Sequence, residues 1–118
     1  MLKGIPKIIS PELLKVLMEI GHGVPELLDA ILKLMPLDTY VNFPVNLMQL
    51  VPGDDVETPI WNEYKKIVKQ HDVRGESTFC EIERFKFYDE AKKAYAIIAT
   101  GETAIYANIM LQKGVVIE

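Results

Sequence analysis

A single cysteine, Cys80, among 118 residues excludes an internal disulfide and points to a reducing compartment. Long apolar runs are missing as well, since none approaches the ~20 residues that a membrane-spanning helix needs. Positive charge is in short supply. With 13 Lys and Arg against 17 Asp and Glu, the formal net charge is -4. That leaves no basic footprint for nucleic acid and no polybasic segment for an anionic membrane surface. The opening "MLKGIPKIIS" is too short, and too broken by Gly4 and Pro6, to read as a secretory signal. A cytoplasmic location is therefore expected, with neither nucleic acid nor membrane as partner. His22 and His71 stand in no spacing that zinc motifs use, so no metal is expected. "ATGET" has one glycine and is no phosphate loop.

What is present is the balance of an ordinary globular domain, 49% hydrophobic and 25% charged. The length fits one domain, residues 1–118, with one core. Ser10 suits a helix cap and Pro11 a first turn, and Leu13, Leu14, Leu17 and Ile20 follow at helical spacing until Gly21 stops them. A second helix starts at Pro25 and carries Leu27, Leu28, Ile31, Leu34 and Met35 up to Pro36. "VNLMQLV", residues 45–51, reads as a buried strand, and "GDD", 53–55, as a loop. Thr58 and Pro59 open a third helix, with Ile60, Trp61, Tyr64, Ile67 and Val68 on its inner side and Lys65, Lys66 and Lys69 outward. "TFCEIER" alternates as a strand does, "FYDEAKKA" reads as a helix, "YAIIAT" as a strand stopped by Gly101, and "ANIMLQKGVVIE" as one or two more strands. Strands interleaved with helices predict an α/β domain, with a central, mainly parallel sheet flanked by helices. The two N-terminal helices fit this badly, because no strand separates them. A helical hairpin is allowed, yet a buried sheet wants helices fed by strands.

Candidate chemistry gathers at a few positions. His22, between Gly21 and Gly23, would sit past a helix C-terminus, where partial negative charge favours an imidazolium and the glycines leave the ring approachable. That suits a general acid or base near neutral pH, and equally a helix cap with an incidental histidine. Asp38, after Pro36, either meets a hydroxyl or other donor or caps a turn with its own backbone. Arg84, at the end of an apolar strand, either holds hydroxyl oxygens or pairs with Glu81 or Glu83 at the surface. Tyr88 and Tyr106 join an apolar ring to a polar tip, as sites and cores both require. Asn108 shares a side with Tyr106 if that stretch is extended. His71, in "KQHD", reads as solvated, Cys80 as a small apolar residue, and Trp61 as core.

In combination these stretches go further. "ISPELLKVLMEIGHG", "LLDAILKLMPLDTYV" and "IERFKFYDEAKKAYAIIATGETAIYANIMLQKGV", in that order along nearly the whole chain, resemble the L-fucose mutarotase and D-ribose pyranase family. "RFKFYDEAKKAYAIIATGE" is closer to the fucose branch, although Ala107 stands where that branch usually has glycine and "YAN" is the ribose-branch spelling. The resemblance implies interconversion of the α and β anomers of a free monosaccharide, L-fucose first, by ring opening under acid and base catalysis without cofactor or metal. D-ribose pyranase activity and non-catalytic sugar binding are the alternatives. By the same resemblance His22 and Tyr88 are the catalytic pair, and Asp38, Arg84, Tyr106, Ala107 and Asn108 contact the sugar. A phenol, at ~10, is a better acid than base at neutral pH, while an imidazole serves either way. Family members also form rings or other homo-oligomers with the site near a subunit boundary.

One departure stands out. Relatives carry a strand and a loop after the Gly-His-Gly, including an aspartate that binds the sugar or orients the histidine. Here that segment is absent between Gly23 and Val24. Either the chain is truly shortened, or its natural sequence continues through a segment left out at this junction. We prefer the second, because deleting a central strand would strip its neighbours of ladder partners. It predicts that Gly23 and Val24 are not joined by a ~1.33 Å peptide bond. His22 is taken as the first Gly-His-Gly of the family pattern, because "MEIGHG" continues the N-terminal helix.

Overall fold

The computed structural model describes residues 23–115. The helix expected before Gly21, and His22 itself, lie outside the described residues. Helix α1, Val24–Leu32, has Pro25 in its first turn and Glu26 beside its N-terminus, and buries Leu27, Leu28 and Leu32. It ends before the Leu34 and Met35 that the spacing placed in it. Pro36 disfavours helical angles at the residue before it, and the chain leaves through bonds from both Leu34 and Met35 N–H to the Ile31 carbonyl.

Strand β1 is Val45–Met48, shorter than the apolar run. Gln49 still bonds to Ile82, but the chain then turns at Val51–Asp54. There the Asp54 N–H meets the Val51 carbonyl at 2.9 Å, with Pro52 second and Gly53 third at φ 94°. Only glycine takes that third position without strain. Helix α2, Pro59–His71, buries Ile60, Trp61, Tyr64 and Val68, as its spacing predicts. A 3-10 turn, Gly75–Thr78, leads into β2, Phe79–Ile82. Helix α3, Arg84–Lys92, is capped by Glu83, whose carboxylate accepts the Lys86 N–H. Strand β3 is Ile109–Leu111.

The sheet order is β2-β1-β3, with β1 parallel to β2 (Val45 opposite Phe79) and antiparallel to β3 (Val45 opposite Leu111). The sheet is thus mixed within the α/β class. A further bridge joins Leu37 to Lys113. It needs Gly114, where a Cβ would sit 2.6 Å from the Leu37 carbonyl oxygen. Between sheet and helices lie Leu28, Val45, Leu47, Ile60, Trp61, Tyr64 and Val68. Each such buried side chain contributes about 1.5–3 kcal/mol.

Two further expectations change. Residues 95–100 form no regular element, although their exposure alternates as a strand's does, with Tyr95 at 68% and Ile97 at 70%. Alternation orients side chains, but a strand also needs a ladder partner, and these residues have none among those described. His71 is not merely solvated: its Nε2 lies 2.7 Å from Asp29 Oδ1, tying the end of α2 to α1. Lys33 shares the same carboxylate, and the bonds from His71 and then Lys33 hold Asp29 below the usual carboxylate range.

The C-terminal end of α2 is closed by Asp72, whose carboxylate accepts from Arg74 N, Nε and Nη2 at 2.9, 3.0 and 2.8 Å. Arg74 Nη2 also donates to the Asp38 carbonyl at 3.2 Å. The Arg74 side chain holds the Asp72 carboxyl below its ordinary 3.8, so this stabilisation is complete above pH 3.8 and fades as pH falls through the lower folded value. Asp72→Asn is expected to cost about 1–2 kcal/mol at neutral pH. It should also flatten the acid limb of stability below pH 3.8, read from urea midpoints across pH.

Candidate active site

Tyr106 begins the site. Its φ of 54° makes it the one non-glycine residue with positive φ among those described. The left-handed region costs an L-residue about 1–2 kcal/mol, so surrounding bonds must impose it. Trp61 Nε1 donates to the Tyr106 carbonyl and the Tyr64 hydroxyl to the Ala107 carbonyl, both at 2.7 Å. Tyr64 is fully buried, and burial pushes its phenol pKa up, which keeps it a neutral donor. Helix α2 therefore grips the backbone of residues 106–107 by two core aromatics.

The Tyr106 hydroxyl is fully committed. It donates to Asp54 Oδ2 and accepts the Val51 N–H at 3.1 Å. The Asp54 carboxylate raises its pKa. Because the backbone turns at residue 106, Asn108 is not held on its side by strand alternation.

An open trough of about 1280 Å³ runs between α1, α3 and this loop. It exceeds the roughly 300–1,000 Å³ of typical small-molecule pockets. Tyr88, Tyr106, Ala107 and Asn108 all line it, and so does Val24, two positions after His22 in the sequence. Tyr88 stands on the outward side of α3, 45% exposed, its ring edge-on to Phe85 at 6.4 Å. Its hydroxyl has no hydrogen-bond partner among the described residues. Of the two tyrosines on the trough, only Tyr88 has a phenol without a hydrogen-bond partner among the described residues.

Asp38 and Arg84 stand apart from the trough lining. The Asp38 carboxylate accepts the Tyr40 N–H at 2.8 Å and Gln112 Nε2 at 3.0 Å, so it caps its own turn. Arg84 opens α3 rather than ending a strand, since β2 stops at Ile82, and its guanidinium carbon lies 4.7 Å over the Phe85 ring. Cys80 is a free thiol on the trough wall, partly exposed. Sequence reasoning passed over Asp54 and Glu102. Glu102 also lines the trough, and its only mark in the sequence was a glycine before it.

These features define a small single-domain α/β protein with a phenol-bearing trough beside its sheet. The sequence profile of the RbsD / FucU transport protein family matches residues 23–116, and the chain belongs to that family. It is 43% identical to human fucose mutarotase over 147 residues, covering 97% of this chain and 94% of the relative. The crystal structure of FucU from Bifidobacterium longum matches with a TM-score of 0.82 at 49% identity, covering 98% of this chain and all of that one. Fucose mutarotase from Streptococcus pneumoniae, solved in complex with L-fucose, matches with a TM-score of 0.74 at 45% identity, covering 98% and 99%. Among the described residues no helix is long and apolar enough to cross a membrane.

Tyr106→Phe keeps the ring and removes both hydroxyl bonds. The Val51 amide should then exchange with deuterium faster, and stability should fall by about 1 kcal/mol. Unchanged protection at Val51 would show that the Tyr106 hydroxyl does not hold the 51–54 turn.

Proposed function

We propose that this chain is an L-fucose mutarotase, an isomerase that interconverts the anomers of the free sugar. The observation that carries the reading is the gathering of Tyr88, Tyr106, Ala107 and Asn108 around one trough, in a chain 45% identical to a mutarotase solved with L-fucose. One group delivers a proton to the ring oxygen as another takes the anomeric hydroxyl proton. The C1–O5 bond breaks, the C1 hydroxyl becomes an aldehyde, C1–C2 rotates, and the same proton movements in reverse close the ring on its other face. Electrons and protons balance within the sugar. His22 and the Tyr88 phenol are the proton-transfer pair, with Tyr106, Ala107 and Asn108 contacting the sugar. Asp38 and Arg84 belong to the same proposal through the family pattern alone. The site stands near a boundary between copies of the chain, which exposed Phe85, Tyr95 and Ile97 favour. The compartment is the cytoplasm.

The alignment with human fucose mutarotase runs over 147 residues although this chain has 118, so that relative carries a segment this chain lacks. Residues 95–100 keep a strand's alternation without a ladder partner among the described residues, as a sheet short of one strand would leave them.

Exchange NMR on L-fucose at equilibrium is expected to show faster anomer exchange with the protein than without. Line changes confined to D-ribose would indicate the pyranase, for which Ala107 in "YAN" speaks. Shifts without faster exchange would indicate a binding protein. Tyr88→Phe and His22→Gln should each cut the catalysed rate by ~10²–10⁴-fold while sugar binding persists. If neither does, these two residues are not the catalytic pair.

A further inference from the structure

The loop ending at Asn108 is held by Trp61 and Tyr64 and is fastened at a second point, Glu102. Its Oε1 accepts the Val24 N–H at 3.0 Å, across 78 positions of sequence. Its Oε2 accepts the N–H groups of Thr103 and Ala104 at 3.0 and 3.1 Å. Its own N–H donates to Thr100 Oγ1 at 3.2 Å. Val24 opens α1, and a helix start leaves its first N–H groups without an intrahelical partner. Gly23, at the cap position, has no side chain to offer, so the cap comes from across the fold. A Cβ at Gly23 would collide with the Glu102 carboxylate. The Ala104, Val24 and Thr103 amides hold that carboxylate ionised, with Ala104 the largest influence.

We propose that Glu102 is a positioning residue for the sugar site, its two carboxylate oxygens joining α1 to the head of the loop and thereby setting where Tyr106, Ala107 and Asn108 stand in the trough. This rests on the mutarotase reading above. The division of labour between the two oxygens is the core of the argument. A carboxylate that only capped a helix would need no bonds to Thr103 and Ala104, and one that only ordered a turn would not reach Val24. Charge-assisted bonds of this kind are about twice as strong as neutral ones. Thr103, Ala104 and Ile105 are exposed, so water competes for the loop wherever the carboxylate releases it. Beyond residue 105 the grip passes to Trp61 and Tyr64. Only residue 105 lies between the two anchors; Tyr106 and Ala107 are held at the second, and Asn108 follows directly after it.

Glu102→Gln separates the roles without a change of volume. Its amide offers one accepting oxygen, while its NH₂ group cannot accept an N–H, so one side of the clip is lost. With the fold checked by circular dichroism and a cooperative melt, KM for L-fucose in saturation-transfer NMR should rise about five- to tenfold. The rate at saturation should stay within about twofold. Glu102→Ala, where it folds, should raise KM at least as far. An unchanged KM, or a loss confined to the saturated rate, overturns the proposal. A second readout does not depend on turnover. In the free protein, Glu102→Gln should shift the amide resonances of Tyr106, Ala107 and Asn108 while leaving those of Asp72 and Arg74 in place. Unmoved loop resonances refute the positioning role whatever the sugar result. Moved resonances in a protein whose wild type accelerates no fucose exchange sustain the clip and refute the mutarotase reading instead.

Discussion

Two hydrogen bonds from α2 hold the arrangement on which everything near the trough depends: Trp61 Nε1 to the Tyr106 carbonyl and Tyr64 hydroxyl to the Ala107 carbonyl. The dependence runs both ways. Tyr64 is buried without solvent access, so its hydroxyl needs an acceptor, and a buried carbonyl at Ala107 needs a donor. Satisfying both fixes the height of the loop above the helix and stabilises a left-handed tyrosine that would otherwise relax. The same side chains belong to the apolar cluster with Leu28, Val45 and Leu47. The position of the trough wall is therefore a consequence of core packing, and a defect in the core is felt there.

Occupancy of polar tips then divides the chemistry. Tyr106 and Tyr88 are the same residue type on the same trough, yet the first has both hydrogen-bonding capacities spent on Asp54 and Val51. A hydroxyl bound on both sides is a strut. The Tyr88 hydroxyl has no partner among the described residues and keeps both capacities open. Asp38 follows the same logic, since a carboxylate already accepting from Tyr40 and Gln112 is chiefly an organiser of its turn. Arg84 is placed by its helix, with its charge resting on the Phe85 ring.

Residues 95–100 keep the alternation of a strand while Tyr95 and Ile97 stand in the open. Such a segment has its side chains sorted and its backbone unpaired. The helix-to-helix junction at Gly23, noted from the sequence as awkward for an alternating fold, is the complementary irregularity. Both are what a sheet short of one strand at that junction would leave.

Local periodicity by itself determined the α/β class, the inner face of Pro59–His71, the burial of Trp61 and a helix with Pro25 in its first turn. Those are properties of neighbours three, four or two positions apart, and hydrophobic burial acts on them directly. Element ends were less legible, because Pro36 and the turn at Gly53 shorten α1 and β1 through backbone angles that apolar spacing does not encode. Only the tertiary structure decided that Glu102 reaches Val24, that Tyr106 spends its hydroxyl on Asp54, that His71 pairs with Asp29 and that Arg84 opens a helix. The three pairings join groups 42 to 78 positions apart. A hydrogen bond at that separation exists only once chain closure brings donor and acceptor within about 3 Å, and no single residue carries a mark of its partner.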